Sequence, residues 1–528
     1  MRVYTIIVFL LLSILKGFSQ NTNLSNGTVF DGEPYVAINP NNASNIVVAW
    51  MGWVNAANRF QIKIKASFDA GNSWSNTALI PHVVSTYSSA DPAIAFNNAG
   101  EVFISYIDFT GTTPPVTGGV YITKSIDGGL SWGNPVNVID TTYDGTKWPI
   151  DRPWIAIDRS TTSTQGTIYV TSMNLNRTNA PFNPYVSIST DNGATFSTTY
   201  LDAPNWLAGS TNNLPMPSPV VSSTGIFYAS YPSYVIAQSP FARLLLASSN
   251  DAGATLSHQP VGNIINPVPL TNFPDAKKAG LLLSNPADAN HLAVIGLRTT
   301  NGDLDVFLTE SFNAGTTWST PTRVNDDPIS NNRMQDLIWG DFDNDGDLII
   351  TWRDRRNGSD GTYATDSEIY AAYRPFNATQ FQPNFRLSSL LIPYDPILAS
   401  SGNDFMSVQI ENDVVYSVWG DPRNGDLNIW FQKTDPQGNI LSLQEISSQQ
   451  LADIIVYPNP AGDMLTVKST DIREVTLYDM LGRSVYSVTS DLYSNQISIN
   501  TIGFNNGNYM LRVTTASSQR YEKVIIKH

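Results

Sequence analysis

The stretch "SIDGGLSW" at residues 125–132 decides the fold, because close variants of it return at regular intervals along the chain. The other clear copies are "SFDAGNSW" (67–74), "STDNGATF" (189–196), "SNDAGATL" (249–256) and "SFNAGTTW" (311–318), with successive copies 58 to 64 residues apart. Two degraded copies, "PFNATQF" (375–381) and "KTDPQGN" (433–439), continue the series at similar spacing. A repeat of this period indicates one structural unit per copy.

Each copy is predicted to form a hairpin turn, because it follows one predicted strand and precedes another. In such a turn the Asp carboxylate can accept backbone N–H bonds, the Gly can adopt a positive φ, and the terminal aromatic ring can pack beside the strand. These turns resemble the Asp boxes of sialidases and other Asp-box β-propellers. The motif indicates architecture and says little about function, since its residues are used to hold the turn.

Each repeat also has a first half, in which a polar residue precedes an apolar strand, a turn and a second strand. Seven such segments match the seven boxes: 33–50, 91–107, 151–173, 217–231, 279–297, 335–352 and 404–419. The predicted fold class is therefore all-β, with an Asp-box β-propeller of seven blades over residues 21–447. Six blades, the sialidase number, is the alternative.

Composition supports this class and excludes several functions. The 528 residues include 35 Gly and 32 Pro, with 41% hydrophobic and 14% charged residues, which is typical of a turn-rich β protein. A formal charge of −15 opposes binding to nucleic acid or to an anionic membrane surface. The absence of cysteine excludes disulfides, thiolate metal sites and a cysteine nucleophile.

Residues 1–20 are predicted to be a cleaved secretory signal peptide. The apolar run from Ile6 to Leu15 is shorter than the roughly 20 residues that span a bilayer. Gly17 and Ser19 supply small residues where signal peptidase cleaves. No later apolar stretch approaches membrane length, so no membrane span is predicted.

Residues 451–528 are predicted to be a separate small β-sandwich, because six short strands with period-two patterning follow one another there. The segments "VYPNPAGDMLTV" (456–467), "LYDMLGRSVYS" (477–487), "GNYMLRV" (507–513) and "KVIIKH" (523–528) resemble the C-terminal sorting domain of the type IX secretion system. The resemblance implies export across the outer membrane of Bacteroidota-type bacteria, to the medium or the cell surface, with the secretion machinery as a partner. An ordinary carbohydrate-binding sandwich is the alternative.

The charged residues of the propeller gather where the first strand of a blade starts and its second strand ends, at the end of the propeller opposite the boxes. Converging arginines suit bidentate binding of a carboxylate, and nearby aspartates could supply general acid or base. The catalytic candidates are Asp91, Asp151 and Asp336. The ligand-binding candidates are Arg152, Arg333, Arg353 and Arg423.

In sialidases three arginines hold the substrate carboxylate, a Tyr assisted by Glu is the nucleophile, and an Asp is the acid/base. Here Arg152, Arg333 and Arg353 could resemble the three arginines, but the F/Y-R-I-P motif is absent from residues 31–50. Tyr363 with Glu368, or Tyr394, could stand in the nucleophile's place. The structural alternative is that pairs such as Asp151–Arg152 and Arg353–Asp354 only tie blades together.

The predicted function is a secreted or surface-attached propeller that binds or processes extracellular glycans, or that recognises a surface protein. The alternative is an exo-acting, sialidase-like glycoside hydrolase, so whether the protein is an enzyme stays open.

The segment "DFDNDGD" (341–347) resembles the start of an EF-type calcium loop, and its candidate ligands are Asp341, Asp343, Asp345 and Asp347. Ile349 and Trp352 occupy positions where later oxygen ligands would be expected. The alternative is a plain hairpin turn. No cofactor is required by the sequence, and calcium bound at this end of the propeller would be structural.

Overall fold

The structure is a computed structural model that describes residues 21–175, 180–211, 216–278, 280–441, 454–479, 483–515 and 519–528. The predicted signal peptide at 1–20 and the predicted boundary between the two domains, at residues 447–451, lie outside these residues. The chain divides into two compact units, Met1–Ser442 and Leu443–His528. Within the described residues, no helix has both the length and the apolar character needed to cross a membrane.

The first unit is built from seven four-stranded antiparallel sheets. Blade 1 contains β2 to β5: Asp31–Asn39, Asn42–Val54, Arg59–Ser67 and Ala78–Leu79, after the short strand β1 at Thr22–Asn23. Blade 2 contains β6 to β9: Ser88–Phe96, Val102–Phe109, Gly118–Ser125 and Val136–Asp140. Blade 3 contains β10 to β13: Ile155–Ile157, Ile168–Met173, Pro184–Ser189 and Ser197–Tyr200. Blade 4 contains β14 to β17: Ser218–Val221, Phe227–Ser233, Arg243–Ser249 and Ser257–Asn263.

Blades 5 to 7 repeat the pattern. Blade 5 contains β18 to β21: Leu281–Ser284, Leu292–Arg298, Asp305–Ser311 and Thr322–Arg323. Blade 6 contains β22 to β25: Gln335–Phe342, Leu348–Asp354, Glu368–Arg374 and Phe385–Arg386. Blade 7 contains β26 to β28: Ser407–Glu411, Val414–Asp421 and Asn428–Thr434. Short 3₁₀ turns lie at Gly145–Lys147, Leu270–Asn272 and Pro396–Leu398. The prediction of an all-β, seven-bladed propeller is confirmed.

The ring is closed by the N-terminal strand, which the repeat pattern did not indicate. β1 pairs with β28 and becomes the outer strand of blade 7, with Thr22 opposite Phe431 and Asn23 opposite Trp430. Leu24, 1% exposed, packs into the apolar core between blades 7 and 1. The first and last parts of the propeller therefore hold one blade together, which protects the edge of β28.

Replacing Leu24 with alanine is expected to lower the free energy of unfolding by about 2–5 kcal/mol, because a fully buried leucine side chain is lost at the closure of the ring. The measurement is denaturant unfolding of the mature protein followed by tryptophan fluorescence. Leu130→Ala, at a leucine that is 54% exposed, is the control and should change stability by less than about 0.5 kcal/mol. Equal stability of both variants would contradict closure by β1.

The Asp boxes lie in the turns between the third and fourth strands, as Asp127 in blade 2 illustrates. Its Oδ1 accepts the backbone N–H groups of Leu130 and Ser131 at 3.1 and 2.9 Å, and Gly128 has φ 74°. Hydrogen bonds from Thr195 lower the pKa of the equivalent Asp191 to about 2. Because these turns mark one end of the propeller, the starts of the first strands lie at the other end, which we call the mouth.

The innermost strands of neighbouring blades are joined by side chains, since they are not paired as strands of one sheet. The backbone N–H of Ile38 donates to Gln409 Oε1 at 2.7 Å, and that of Ile410 donates to Asp341 Oδ2 at 3.1 Å. Leu282 donates in the same way to Ser218 Oγ at 3.0 Å. These bonds satisfy backbone groups that face the central channel.

The second unit is a five-stranded sheet of β29 to β33: Ile455–Tyr457, Met464–Tyr478, Ser484–Asn500, Gly507–Thr515 and Gln519–Ile526. The six short strands predicted from the sequence include Met464–Val467 and Val475–Tyr478, which fall within β30, and Ser484–Val488 and Gln496–Ile499, which fall within β31. The structure joins each pair into one long strand, with a register shift between Lys468 and Ile472 where β30 pairs with β31. Side chains from both halves of β30, such as Val467 and Leu477, share one buried core.

Candidate functional site

Three successive blades carry the same backbone irregularity at the mouth. Glu33, Asp91 and Arg152 have φ values of 55°, 52° and 53°, and a proline follows each of them. In blades 1 and 2 the pairing of the first two strands shifts register at this point, and blade 6 has the same shift and a φ of 54° at the buried Leu337. A left-handed conformation costs a residue with a side chain about 1–2 kcal/mol, and such strain is concentrated at functional sites. Three equivalent positions therefore present a Glu, an Asp and an Arg at the mouth.

Glu33 and Asp91 form a carboxyl pair, to which we refer as the acidic pair. The charge of Asp91 acts on Glu33, and the backbone N–H of Arg152 donates to Asp91 Oδ2 at 3.2 Å. Glu33 is 2% exposed, and its Oε2 is buried without a hydrogen-bond partner among the described residues. Burial, with the charges of Asp91 and Asp404, raises the pKa of Glu33 well above its usual value. Asp91 is the more exposed member.

Asp404 of blade 7 binds two cations beside the acidic pair. Its Oδ2 lies 3.0 Å from Arg152 Nη2, and its Oδ1 lies 2.6 Å from Lys277 Nζ. Burial alone would raise the pKa of Asp404, but Arg152 and Lys277 outweigh it and lower that pKa. Asp404 therefore stays ionised at the mouth, and it links blades 3, 5 and 7.

Asp336 of blade 6 forms a second group of ion pairs, which is linked to the first through Lys277. Arg353 donates to its two oxygens from Nε at 2.8 Å and Nη2 at 2.6 Å, and Arg355 Nη1 lies 3.0 Å from Oδ1. The backbone N–H of Lys277 and the hydroxyl of Tyr363 also donate to Asp336, at 3.0 and 3.2 Å. Burial opposes ionisation, but the two guanidinium groups outweigh it and lower the pKa of Asp336 well below its usual value.

An aromatic layer closes the channel beneath these charges. Trp154 contacts Trp339 and Phe405 edge to face, with ring centroids 5.8 and 5.4 Å apart, and the Arg152 guanidinium lies over Phe405. Beyond the layer is a cavity of about 120 Å³, lined by the inner strands and reaching Asp341. Large buried aromatic rings therefore lie between the charges of the mouth and this cavity.

The structure brings some of the predicted site residues together and leaves others apart. Asp91 and Arg152 are in contact, and Asp336 and Arg353 join them through Lys277 and Asp404. Asp151 pairs through its backbone with Met173, and its charge acts on Arg152.

Arg333 and Arg423 occupy other surroundings. Arg333 donates to the backbone oxygen of Asp360, and no contact among the described residues joins it to Arg152 or Arg353. Arg423 pairs with Asp421, lies 4.2 Å above the Trp430 ring, and donates to Asn21 beside β1. The three arginines considered for a carboxylate therefore do not converge on one point.

The ion pairs expected from adjacent residues also have different partners. Arg353 pairs with Asp336 across the first hairpin of blade 6, whereas Asp354 pairs with Arg356. Glu368, considered as a helper for Tyr363, binds Arg386. Neighbours in sequence point to opposite faces of a strand, so facing residues on paired strands meet instead.

Sequence reasoning missed Lys277 and Arg355. Lys277 precedes the first strand of blade 5, the position at which the other blades present their charges, so its place in the repeat was a usable signal. Arg355 follows the end of β23 by one residue and turns back to Asp336. Only the tertiary arrangement identifies that partner.

The predicted calcium ligands are divided between two places. Asp341 accepts a backbone N–H from the neighbouring blade, and burial raises its pKa to about 7. Asp343 and Asp347 have carboxylate oxygens near one another and near Asp413, within 4.8 Å. Burial and a hydrogen bond with Asp345 raise the pKa of Asp343 to about 8, and its Oδ1 accepts three backbone N–H groups of the turn. Calcium binding stays a prediction.

Residues 455–527 match the family model for the secretion system C-terminal sorting domain. The chain carries a type IX sorting domain. That domain indicates export through the type IX secretion system, to the cell surface or the medium, and an interaction with the secretion machinery. The prediction made from the terminal motifs is confirmed.

One sequence relative, an endo-acting ulvan lyase of Formosa agariphila, is 33% identical over 78 residues. The match covers 14% of this chain and 15% of the relative. The chain therefore matches a small part of that protein's length.

Solved structures with related architecture have low identity. A protein of unknown function from Dyadobacter fermentans has 15% identity and a TM-score of 0.42, covering 67% of this chain and 98% of that one. The Fusarium graminearum α-L-arabinofuranosidase Arb93A has 12% identity and a TM-score of 0.43, covering 66% and 92%. The sialidase NanB of Streptococcus pneumoniae has 11% identity and a TM-score of 0.40, covering 80% and 70%. The fold assignment rests on the strand order of this chain.

Proposed function

We propose that the protein is a type IX cargo that binds extracellular glycans at the propeller mouth. The observation that carries the proposal is the group of partly exposed charged residues at the mouth, in which three blades bring Asp91, Arg152 and Asp404 together. At the left-handed positions of blades 1 to 3 the side chain is charged, whereas the equivalent residue of blade 6, Leu337, is apolar and buried.

The chemistry of the mouth suits a hydroxyl-rich ligand. Asp91, Arg152 and Asp404 are partly exposed, so they offer charged acceptors and donors to a molecule that reaches the mouth. Hydrogen bonds to charged groups contribute about 1.5–3 kcal/mol each. Tyr363, half-buried with its ring beside Arg355, adds an apolar surface against which a sugar ring can pack.

The charge balance of the mouth favours this proposal over a sialidase-like one. Arg353 is 2% exposed, and its Nε and Nη2 both bind Asp336. Its guanidinium therefore has no free pair of N–H donors for a substrate carboxylate. The guanidinium of Arg152 already forms an ion pair with Asp404. The matched sequence relative is by its name active on ulvan, and the sorting domain carries the protein to a place where such polymers are met.

The proposal is tested by a glycan-array screen of the full mature protein, followed by calorimetric titration of each glycan that scores. Arg152→Lys should weaken glycan binding by about tenfold or more. The lysine ammonium cannot replace the planar guanidinium group, whose several N–H donors point in fixed directions. Arg159→Ala is the matched control, because Arg159 is an exposed arginine of the same blade beyond the opposite end of β10. If both variants lose glycan affinity equally, or if the wild type binds no glycan, the mouth is not a glycan site.

A further inference from the structure

The central channel holds a cavity of about 120 Å³ on the other side of the aromatic layer from the mouth. Trp154 and Trp339, which are 3% and 5% exposed, form the wall of this cavity that faces the mouth. The remaining walls come from the inner strands of six blades. At roughly 30 Å³ for each molecule of liquid water, such a space holds about four non-hydrogen atoms. The cavity is therefore suited to a small molecule and excludes a glycan chain.

The cavity opens towards the Asp boxes, at the end of the propeller that we call the box end. Side chains two residues apart on a strand point to the same face. On the inner strand of blade 6, Trp339 is buried and Asp341 is partly exposed, and on that of blade 5, Leu281 is buried and Leu283 is partly exposed. The second residue of each pair is nearer to the box end, because these strands start at the mouth. Solvent therefore reaches the cavity from the box end.

Most of the polar side chains in the wall already have partners on neighbouring blades. Ser218, Ser407 and Gln409 each accept a backbone N–H group from the inner strand of the next blade. These three side chains join the blades together, which leaves Asp341 and Tyr35 as the groups of the wall that can bind a ligand.

Asp341 and Tyr35 both have unused capacity to accept hydrogen bonds. Asp341 Oδ2 accepts the backbone N–H of Ile410 at 3.1 Å, but no lysine or arginine among the described residues forms an ion pair with this carboxylate. The hydroxyl of Tyr35 forms no hydrogen bond within the described part of the chain. The charge of Asp341 acts on this hydroxyl, so a ligand that lies between the two groups can contact both.

The charge around Asp341 is negative in total. A second carboxylate, Glu411, acts on Asp341, and it binds the amide of Asn344 at 3.0 and 3.2 Å. The positive group that acts on Asp341 is Arg159, whose side chain is exposed and therefore screened by solvent. Two carboxylates and one screened guanidinium make the cavity attractive to a cation, and the apolar surroundings strengthen that attraction.

We propose that the cavity binds a primary alkylammonium ion, whose ammonium group lies between Asp341 and the hydroxyl of Tyr35. Such an ammonium group carries three N–H donors, and the carboxylate and the hydroxyl accept two of them. The short alkyl chain packs against Val220 and Leu283, two apolar and partly exposed residues of the wall. The site lies in the channel behind the aromatic layer, so the proposal does not depend on glycan binding at the mouth.

The lining favours this ligand over other small ones. Calcium takes about six to eight oxygen ligands, whereas residues such as Val220, Leu283 and Val408 make much of the wall apolar. An anion would be repelled by Asp341. A quaternary ammonium ion has no N–H group to donate, and a neutral alcohol has no charge to balance the carboxylate. A few polar groups placed among apolar ones are typical of sites for small molecules.

The test is a saturation-transfer NMR titration of the full mature protein with three probes at one ionic strength. The probes are propylammonium chloride, 1-propanol, which has a hydroxyl in place of the ammonium group, and tetramethylammonium chloride, a cation without N–H donors. Propylammonium should bind with a Kd of about 0.1–1 mM, as expected for a ligand of about four non-hydrogen atoms. The affinities of the other two probes should be lower by about tenfold or more, because each lacks either the charge or the N–H donors.

Asp341→Asn should weaken propylammonium binding by about tenfold or more, because it removes the charge while its amide oxygen can still accept the Ile410 N–H. Tyr35→Phe keeps the ring that packs on Trp339 and should weaken binding by about fivefold, the effect of one lost hydrogen bond. Asp360→Asn, at an exposed aspartate of the same blade as Asp341, is the matched control and should bind propylammonium as the wild type does. Circular dichroism checks the fold of each variant, and Tyr35→Phe gives an independent test if Asp341→Asn is unstable.

Three kinds of result would overturn the proposal. The first is that propylammonium does not bind, or binds no more tightly than 1-propanol. The second is that tetramethylammonium binds as tightly as propylammonium, which would mean that the N–H donors are not needed. The third is a wild-type affinity in the folded Asp341→Asn or Tyr35→Phe variant, which would place the bound probe elsewhere. Glycan binding at the mouth is measured separately, and none of these results affects it.

Discussion

Replacing Asp336 with alanine is expected to lower the free energy of unfolding of the propeller by at least about 3–5 kcal/mol, the usual cost of removing one partner from a buried ion pair. Asp336 is fully buried, and it pairs with Arg353 and Arg355, which are each 2% exposed. Its loss would leave two guanidinium groups in the protein interior without a counter-charge. The backbone N–H of Lys277 would lose its acceptor as well.

The measurement is denaturant unfolding of Asp336→Ala and of wild type at neutral pH. Asp360→Ala, at an exposed aspartate of the same blade, is the control and should change stability by less than about 0.5 kcal/mol. If Asp336→Ala lowers the free energy of unfolding by less than about 1 kcal/mol, the role of Asp336 as the counter-charge of Arg353 and Arg355 is contradicted. Because the pKa of Asp336 is lowered on folding, its stabilisation is present above about pH 4, the ordinary aspartate value, and declines as the pH falls further.

Deleting residues 451–528 is expected to abolish appearance of the protein at the cell surface and in the medium, and to leave it in the periplasm. The sorting domain at 455–527 is the address that the type IX machinery reads. The propeller should still fold, because the strands that close its ring, β1 and β28, both lie before residue 451.

Fractionation of cells, with detection of the propeller in periplasm, surface and medium, measures this result. The full chain with Arg483→Ala, at an arginine whose side chain is 74% exposed in the sorting domain, is the control and should be exported normally. Export of the truncated protein at the wild-type level would show that the domain is not required.

The blade count could be predicted from sequence because an Asp-box turn is held by its own residues. Asp127 bonds to groups three and four residues ahead, and Gly128 supplies the positive φ, so all the necessary atoms lie within one short segment. The strand boundaries in the terminal sheet were less predictable. Whether Met464–Val467 and Val475–Tyr478 are two strands or one depends on the partners they pair with.

Some of the residues that lie at the mouth could be predicted from the sequence. Equivalent places in the repeat placed Asp91, Arg152 and Asp336 at one end of the propeller, and Lys277 could have been found by the same rule. The pairing of charges could not be found in this way. Asp404 lies 252 residues from Arg152 and 127 residues from Lys277, and the ring of blades brings them together.

By itself, the sequence determined the all-β propeller, its seven repeats and the sorting domain, because each of these depends on bonds and patterns within short segments. Only the tertiary structure decided that β1 closes the last blade, that Asp336 neutralises Arg353, and that Glu33 lies against Asp91. These features depend on residues from distant blades that meet at the channel, where burial, rather than proximity in sequence, sets which charges must pair.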